Sequence, residues 1–113
     1  IGTQAQPTFK WITHDFGNLK KGNYQSLYPA FADLDQNGTI DMLCGNMDGT
    51  LTFFPNQNPI GQLPLFGSPA SNYQSITVSN FSTPQLFDLD GDGDLDLIIG
   101  NRRGQIAYYQ NVA

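Results

Sequence analysis

The chain has no glutamate: all ten acidic residues among its 113 are aspartate. Glutamate favours helix, whereas aspartate, like glycine, favours turns and caps, so this absence argues against a helical fold. With twelve glycines, seven prolines and 39 % hydrophobic residues, the composition describes one turn-rich, folded, all-β domain or part of one. Basic residues are scarce as well. The five Lys and Arg form no stripe beyond Lys20-Lys21 and Arg102-Arg103, which argues against a nucleic-acid partner. No apolar run approaches the ~20 residues that a spanning helix needs, so membrane insertion is not expected. The single cysteine, Cys44, can form no intrachain disulfide, and its place in the apolar run 40–44 predicts a buried, inert thiol. The single histidine, His14, stands beside Asp15 with no Gly-x-Ser-x-Gly, His-Glu-x-x-His or phosphate-binding glycine loop, so catalysis is not expected. The chain opens at Ile1, without Met or a signal segment, and reads as a processed or excised piece.

The aspartates that are present are concentrated. The stretch Asp88-Leu89-Asp90-Gly91-Asp92-Gly93-Asp94-Leu95-Asp96 places carboxylates at the first, third, fifth and ninth positions of a loop whose sixth residue is glycine. Asp33-Leu34-Asp35-Gln36-Asn37-Gly38-Thr39-Ile40-Asp41 repeats it with Asn37 in place of Asp92. Ca²⁺ is a hard cation that takes six to eight oxygens, and the loops offer only oxygens. By analogy with the EF-hand, Asp88, Asp90 and Asp92 coordinate through their side chains and Asp94 through its backbone carbonyl. Asp96 closes the shell and Gly93 permits the sharp reversal. Asp33, Asp35, Asn37, Thr39 and Asp41 take the same parts in the first loop. The EF-hand's twelfth-position glutamate and flanking helices are missing, which excludes a calmodulin-like sensor. Two Ca²⁺ would bring the formal charge of −5 close to neutrality. Extracellular modules bind Ca²⁺ at roughly 10⁻⁴–10⁻³ M, and sites that weak stay filled only outside the cytosol, which predicts a secreted or cell-surface location.

The loops belong to a longer repeat. At a spacing of 55, Pro29, Asp33, Leu34, Asp35, Gly38, Asp41, Gly45, Asn46, Gly49 and Asn56 recur as Pro84, Asp88, Leu89, Asp90, Gly93, Asp96, Gly100, Asn101, Gly104 and Asn111. Upstream, a spacing of 57 pairs Pro7, Phe9, Phe16, Leu19, Asn23 and Tyr24 with Pro64, Phe66, Tyr73, Ile76, Asn80 and Phe81. The chain 1–113 is thus one segment of two repeats, 7–56 and 64–111. The pattern predicts four strands per repeat, at 8–13, 28–33, 40–45 and 50–55 in the first, the last two forming a hairpin through Gly45-Asn46-Met47-Asp48-Gly49 with its glycines at positive φ. The third strand, apolar on both faces at Met42-Leu43-Cys44 and Leu97-Ile98-Ile99, is expected to be central and buried on both sides.

Four-stranded units of this length are expected to be β-propeller blades. Proline, an apolar residue, Asp-x-Asp-x-Asp-Gly-x-x-Asp-Leu, Gly-Asn and an aromatic strand ending in Asn resemble the FG-GAP/VCBS repeat family, over nearly the whole chain. Gly-Ala-Pro is missing, and at the spacing of 57 Phe16-Gly17 meets Tyr73-Gln74 in the second copy. The resemblance implies an all-β fold of two four-stranded antiparallel blades, two Ca²⁺ and a non-enzymatic module that mediates adhesion or protein interaction. It also implies a second possibility, a lectin that stacks glycans on Trp11 and Tyr24, and a third, an accessory domain of a secreted hydrolase. Two blades are too few to close a propeller, so the chain is expected either to belong to a longer array or to associate as a trimer or tetramer.

Overall fold

A computed structural model describes residues 6–19, 22 and 27–112. Among them six strands form: β1 (Tyr28–Ala32), β2 (Asp41–Gly45), β3 (Leu51–Phe54), β4 (Thr83–Phe87), β5 (Asp96–Gly100) and β6 (Ile106–Tyr109). They build two antiparallel sheets, β1-β2-β3 and β4-β5-β6. The register repeats as the sequence does, with Ala32 opposite Asp41 in one sheet and Phe87 opposite Asp96 in the other. Among the described residues there is no α-helix, and 3₁₀ turns lie at Phe16–Asn18 and Tyr73–Ser75.

Side chains alternate across a strand, so β2, apolar on both faces at Met42-Leu43-Cys44, must be covered twice. Leu43 points to one side, where it meets Leu51, Leu97 and Ile99, with Tyr73, Ile76 and Val78 packed between the two sheets. Met42 and Cys44 point to the other side, where Phe54 joins them under Leu19, Leu27 and Phe66. Every residue of β2 is buried, as expected for a central strand. Full burial of side chains such as Leu43 and Leu51 contributes about 1.5–3 kcal/mol each. The same burial pushes the Cys44 thiol up to about 11, which keeps it protonated and unreactive.

The seam between the sheets is also stitched by polar groups. The segment leading into β4 crosses the β2–β3 turn, where Ser82 N–H donates to the Asn46 carbonyl (3.1 Å) and Phe81 N–H to the Met47 carbonyl (2.9 Å). The buried Ser82 hydroxyl donates to the Thr50 carbonyl (2.7 Å) and accepts from the Asn46 N–H (2.9 Å). This crossing explains Gly45. Gly49 and Gly104 take positive φ as expected, but Gly45 and Gly100 do not. A methyl group on Gly45 would sit 2.7 Å from Pro84 Cδ and overlap the Ser82 carbonyl. Close approach of the neighbouring backbone, not turn geometry, requires glycine there.

The expected four strands per repeat are three. Residues 8–13 form no strand, and the large side chains Phe9, Trp11 and Ile12 are exposed. A strand needs a partner edge, and among the described residues none pairs with this segment. Its counterpart in the second repeat does find an edge, but on the sheet before it. Residues 65–70 run antiparallel to β3 through bridges Phe53–Ala70 and Asn56–Phe66. The fourth position of the first sheet is therefore taken, irregularly, by residues that the sequence period assigns to the second.

Gly45→Ala forces the Ser82 backbone away from the β2–β3 turn and is expected to cost about 1–3 kcal/mol. Urea unfolding followed by circular dichroism measures it. A change below about 0.5 kcal/mol, the size of an ordinary surface substitution, would mean that the seam is looser than described.

Candidate metal centres

Each acidic loop joins the first two strands of its sheet. The ninth-position aspartate opens the second strand, and its carboxylate is buried, Asp41 in one sheet and Asp96 in the other. A buried carboxylate must be hydrogen-bonded, and here backbone N–H groups do this. Asp41 Oδ2 accepts from the N–H of Leu34 (3.0 Å) and of Asp35 (3.4 Å), while Oδ1 accepts from Asn56 N–H (2.9 Å) beyond β3. Asp96 repeats this with Leu89 N–H (3.0 Å) and Asn111 N–H (2.8 Å), and the Tyr108 hydroxyl donates to Oδ2 (3.4 Å). One side chain thereby ties the loop entrance, the central strand and the end of the outer strand. Among the described residues no buried side-chain polar atom lacks a partner.

The first-position aspartate shapes the reversal. Asp33 accepts from Asn37 N–H (3.1 Å) and Gly38 N–H (2.8 Å), and Asp88 accepts from Gly91 N–H (2.8 Å) and Gly93 N–H (3.0 Å). Gly38 and Gly93 have φ of 91° and 94°, in the left-handed region that glycine occupies without steric cost. The first loop also holds Gln36 at φ 59° where the second has Gly91.

The result is two equivalent clusters. Asp33, Asp35 and Asp41 each offer a carboxylate oxygen within 4.8 Å of the others, and so do Asp88, Asp90 and Asp96. These groups could hold a metal ion. The fifth-position residues are occupied locally instead: Asn37 Oδ1 accepts from Thr39 N–H (3.0 Å) and the Thr39 hydroxyl (2.7 Å), and Asp92 Oδ1 accepts from Asp94 N–H (2.9 Å). The third-position carboxylates differ between loops. A hydrogen bond from Gln110 Nε2 (2.8 Å) holds the Asp90 carboxyl below its ordinary range. Loss of surrounding water and the charge of Asp41 push that of Asp35 up.

Tyr108 and Gln110 escape sequence reasoning as parts of the site. They alternate with Tyr109 on the outer strand, and the signal that could have found them is their position just before Asn111, whose counterpart Asn56 also closes on its loop. Of the other candidates, Trp11 is exposed with its ring edge-on to His14 (5.0 Å), and Tyr24 lies outside the described residues. No helix among the described residues is long and apolar enough to cross a membrane.

A family model described as an FG-GAP-like repeat matches residues 33–99, more than half of the chain and spanning both acidic loops. No curated protein and no solved structure matches it.

If the ninth-position aspartate organises the sheet apart from any ion, Asp96→Ala should destabilise the chain even in chelator. Leaving the Leu89 and Asn111 N–H groups without their acceptor is expected to cost about 1–3 kcal/mol. Asp92→Ala, at an exposed position, should stay within about 0.5 kcal/mol. Denaturant melts of both variants in chelator make the comparison, and equal values would refute the assignment.

Proposed function

The chain belongs to the FG-GAP-like repeat family, and on that premise we propose that it is a non-enzymatic, calcium-binding β-propeller module of a secreted or cell-surface protein, acting in adhesion or protein interaction. The observation that carries this reading is the duplication of one all-oxygen cluster at equivalent places in two equivalent sheets. Oxygens bound to one Ca²⁺ at 2.3–2.6 Å can lie at most about 4.6–5.2 Å apart, and the three carboxylates of each cluster fall within that span. Mg²⁺ binds at shorter distances and retains its waters, so the donor set suits Ca²⁺ better. Asp33, Asp35 and Asp41 would hold one ion and Asp88, Asp90 and Asp96 the other. Asn37, Thr39, Asp92 and Asp94 would complete the shells by side chain or carbonyl. When bound, the ion supplies positive charge that offsets carboxylate repulsion and fixes the loop on the sheet. A glycan ligand is the second reading, favoured by the exposed ring of Trp11. A glycan-array signal lost in Trp11→Ala would support it.

Ca²⁺ that binds the folded chain alone stabilises it by RT ln(1 + [Ca²⁺]/Kd) per site, about 1.4 kcal/mol at ten times Kd. Thermal melts should therefore rise by several degrees with millimolar Ca²⁺ relative to chelator; superimposable curves would sink the calcium reading. Titration calorimetry should show two sites. Asp88→Asn should weaken one of them, and Asp94→Thr, which copies Thr39 of the first loop, should leave both nearly intact.

A further inference from the structure

The first loop departs from the second at its fifth position, where it carries an amide, Asn37, in place of the Asp92 carboxylate. Asn37 is followed by Gly38, and no other asparagine of the chain precedes a glycine. That neighbour matters because a backbone nitrogen can attack the side-chain amide just before it, and a side chain on its own residue shields it. Asn46, Asn80 and Asn101 also lie outside the strands but precede Met47, Phe81 and Arg102. At Gly38 nothing lies within 4 Å of the place a side chain would occupy, and Asn37 and Gly38 are both exposed, so water reaches the pair.

Hydrogen bonds bring the reacting groups together. Asn37 Oδ1 accepts from Thr39 N–H (3.0 Å) and from the Thr39 hydroxyl (2.7 Å). A side-chain oxygen bonded to the N–H two residues on folds back over the intervening peptide, which brings the Asn37 amide carbon to the Gly38 nitrogen. The same two donors draw electrons from that carbon and meet the charge that develops on Oδ1 during attack, as an oxyanion hole does. Gly38 N–H in turn donates to Asp33 Oδ2 (2.8 Å), a carboxylate placed to take its proton. We propose that Asn37 is a self-deamidation site, at which the folded loop converts its own amide to aspartate. The Gly38 nitrogen bonds to Asn37 Cγ as its proton passes to Asp33, and Oδ1 takes the negative charge. The bond from Cγ to Nδ2 then breaks with the proton returned, releasing ammonia and leaving a cyclic imide. Water adds at the Cγ carbonyl, which keeps both Thr39 donors, and the bond to the Gly38 nitrogen reopens to give aspartate with the main chain intact. The second repeat shows that the fold accepts this product. Asp92 Oδ1 accepts from Asp94 N–H (2.9 Å), as Asn37 does from Thr39, and Asp88 Oδ2 accepts from Gly93 N–H (3.0 Å), as Asp33 does from Gly38. The conversion adds a negative charge to the first loop and removes its difference from the second at that position. It consumes only water and is independent of which ion the loops hold.

The folded chain, kept in chelator at neutral pH and physiological temperature, should acquire the acidic shift and the mass change of amide-to-acid exchange. Peptide mapping should place the change at Asn37 ahead of every other asparagine. Holding the reacting groups in place should make conversion at least about tenfold faster than in the same chain unfolded in urea, a comparison that needs no variant. Thr39→Val removes the hydroxyl donor and should slow conversion of the folded chain about tenfold, while Thr39→Ser should restore it. Circular dichroism checks that both variants fold. Conversion in buffer no faster than in urea, or a rate unmoved by Thr39→Val, would overturn the proposal. So would isoaspartate as the main product, because water would then have opened the imide at the main-chain carbonyl.

Discussion

A sheet whose central strand is apolar on both faces cannot be stable alone, and the rest of this structure follows from that constraint. β2 buries Leu43 on one side and Met42 and Cys44 on the other, so it needs a neighbour on each. The second sheet and the 73–82 segment supply one, and residues 19, 27 and 66 the other. Hydrogen bonds follow the apolar cover. Ser82 can reach Asn46 and Thr50 only because the two sheets already pack at Leu43, Leu51, Leu97 and Ile99. The glycine at 45 is a consequence of that closeness.

The buried aspartates answer a different need. The end of an outer strand, beyond its last ladder hydrogen bond, frays unless something pins it. Asp41 and Asp96 pin it by accepting the N–H of Asn56 and Asn111, while their other oxygens gather the loop entrance. A carboxylate is suited to this because a single ionised group can accept several N–H donors at about twice the strength of a neutral acceptor. Its charge remains in place, close to two more carboxylates, and that residual charge is what makes each cluster a place for a cation.

Much of this was legible in the residues. Gly, Asn and Pro punctuation located the three strands of the first sheet and the repeat carried them to the second, the all-apolar run 42–44 identified the central strand, and the Asp spacing identified both clusters. Two features were not. Hydrogen bonds from Tyr108 and Gln110 depend on which face of β6 meets the loop, which alternation alone does not reveal. The location of the fourth strand was misjudged for a related reason. Periodicity in sequence says which residues correspond, not where one structural unit stops, and residues 65–70 correspond to 8–13 while packing on the sheet that precedes them.

The two spacings fit this reading. Loop and hairpin residues recur at 55, whereas the covering segments recur at 57, so the insertion falls between the covering segment and the first strand of the next sheet. Residues 28–70, the three strands of one sheet plus the segment that lies along its edge, form one packed unit joined by continuous backbone hydrogen bonds. An insertion inside that unit would shift strand register and turn every apolar side chain to the wrong face. Between units it lengthens a connection and costs little, since loop closure depends only weakly on length. The tolerance for two extra residues there marks the physical boundary of the repeat. It separates residues 7–13 from the sheet that follows them in sequence, where they form no strand.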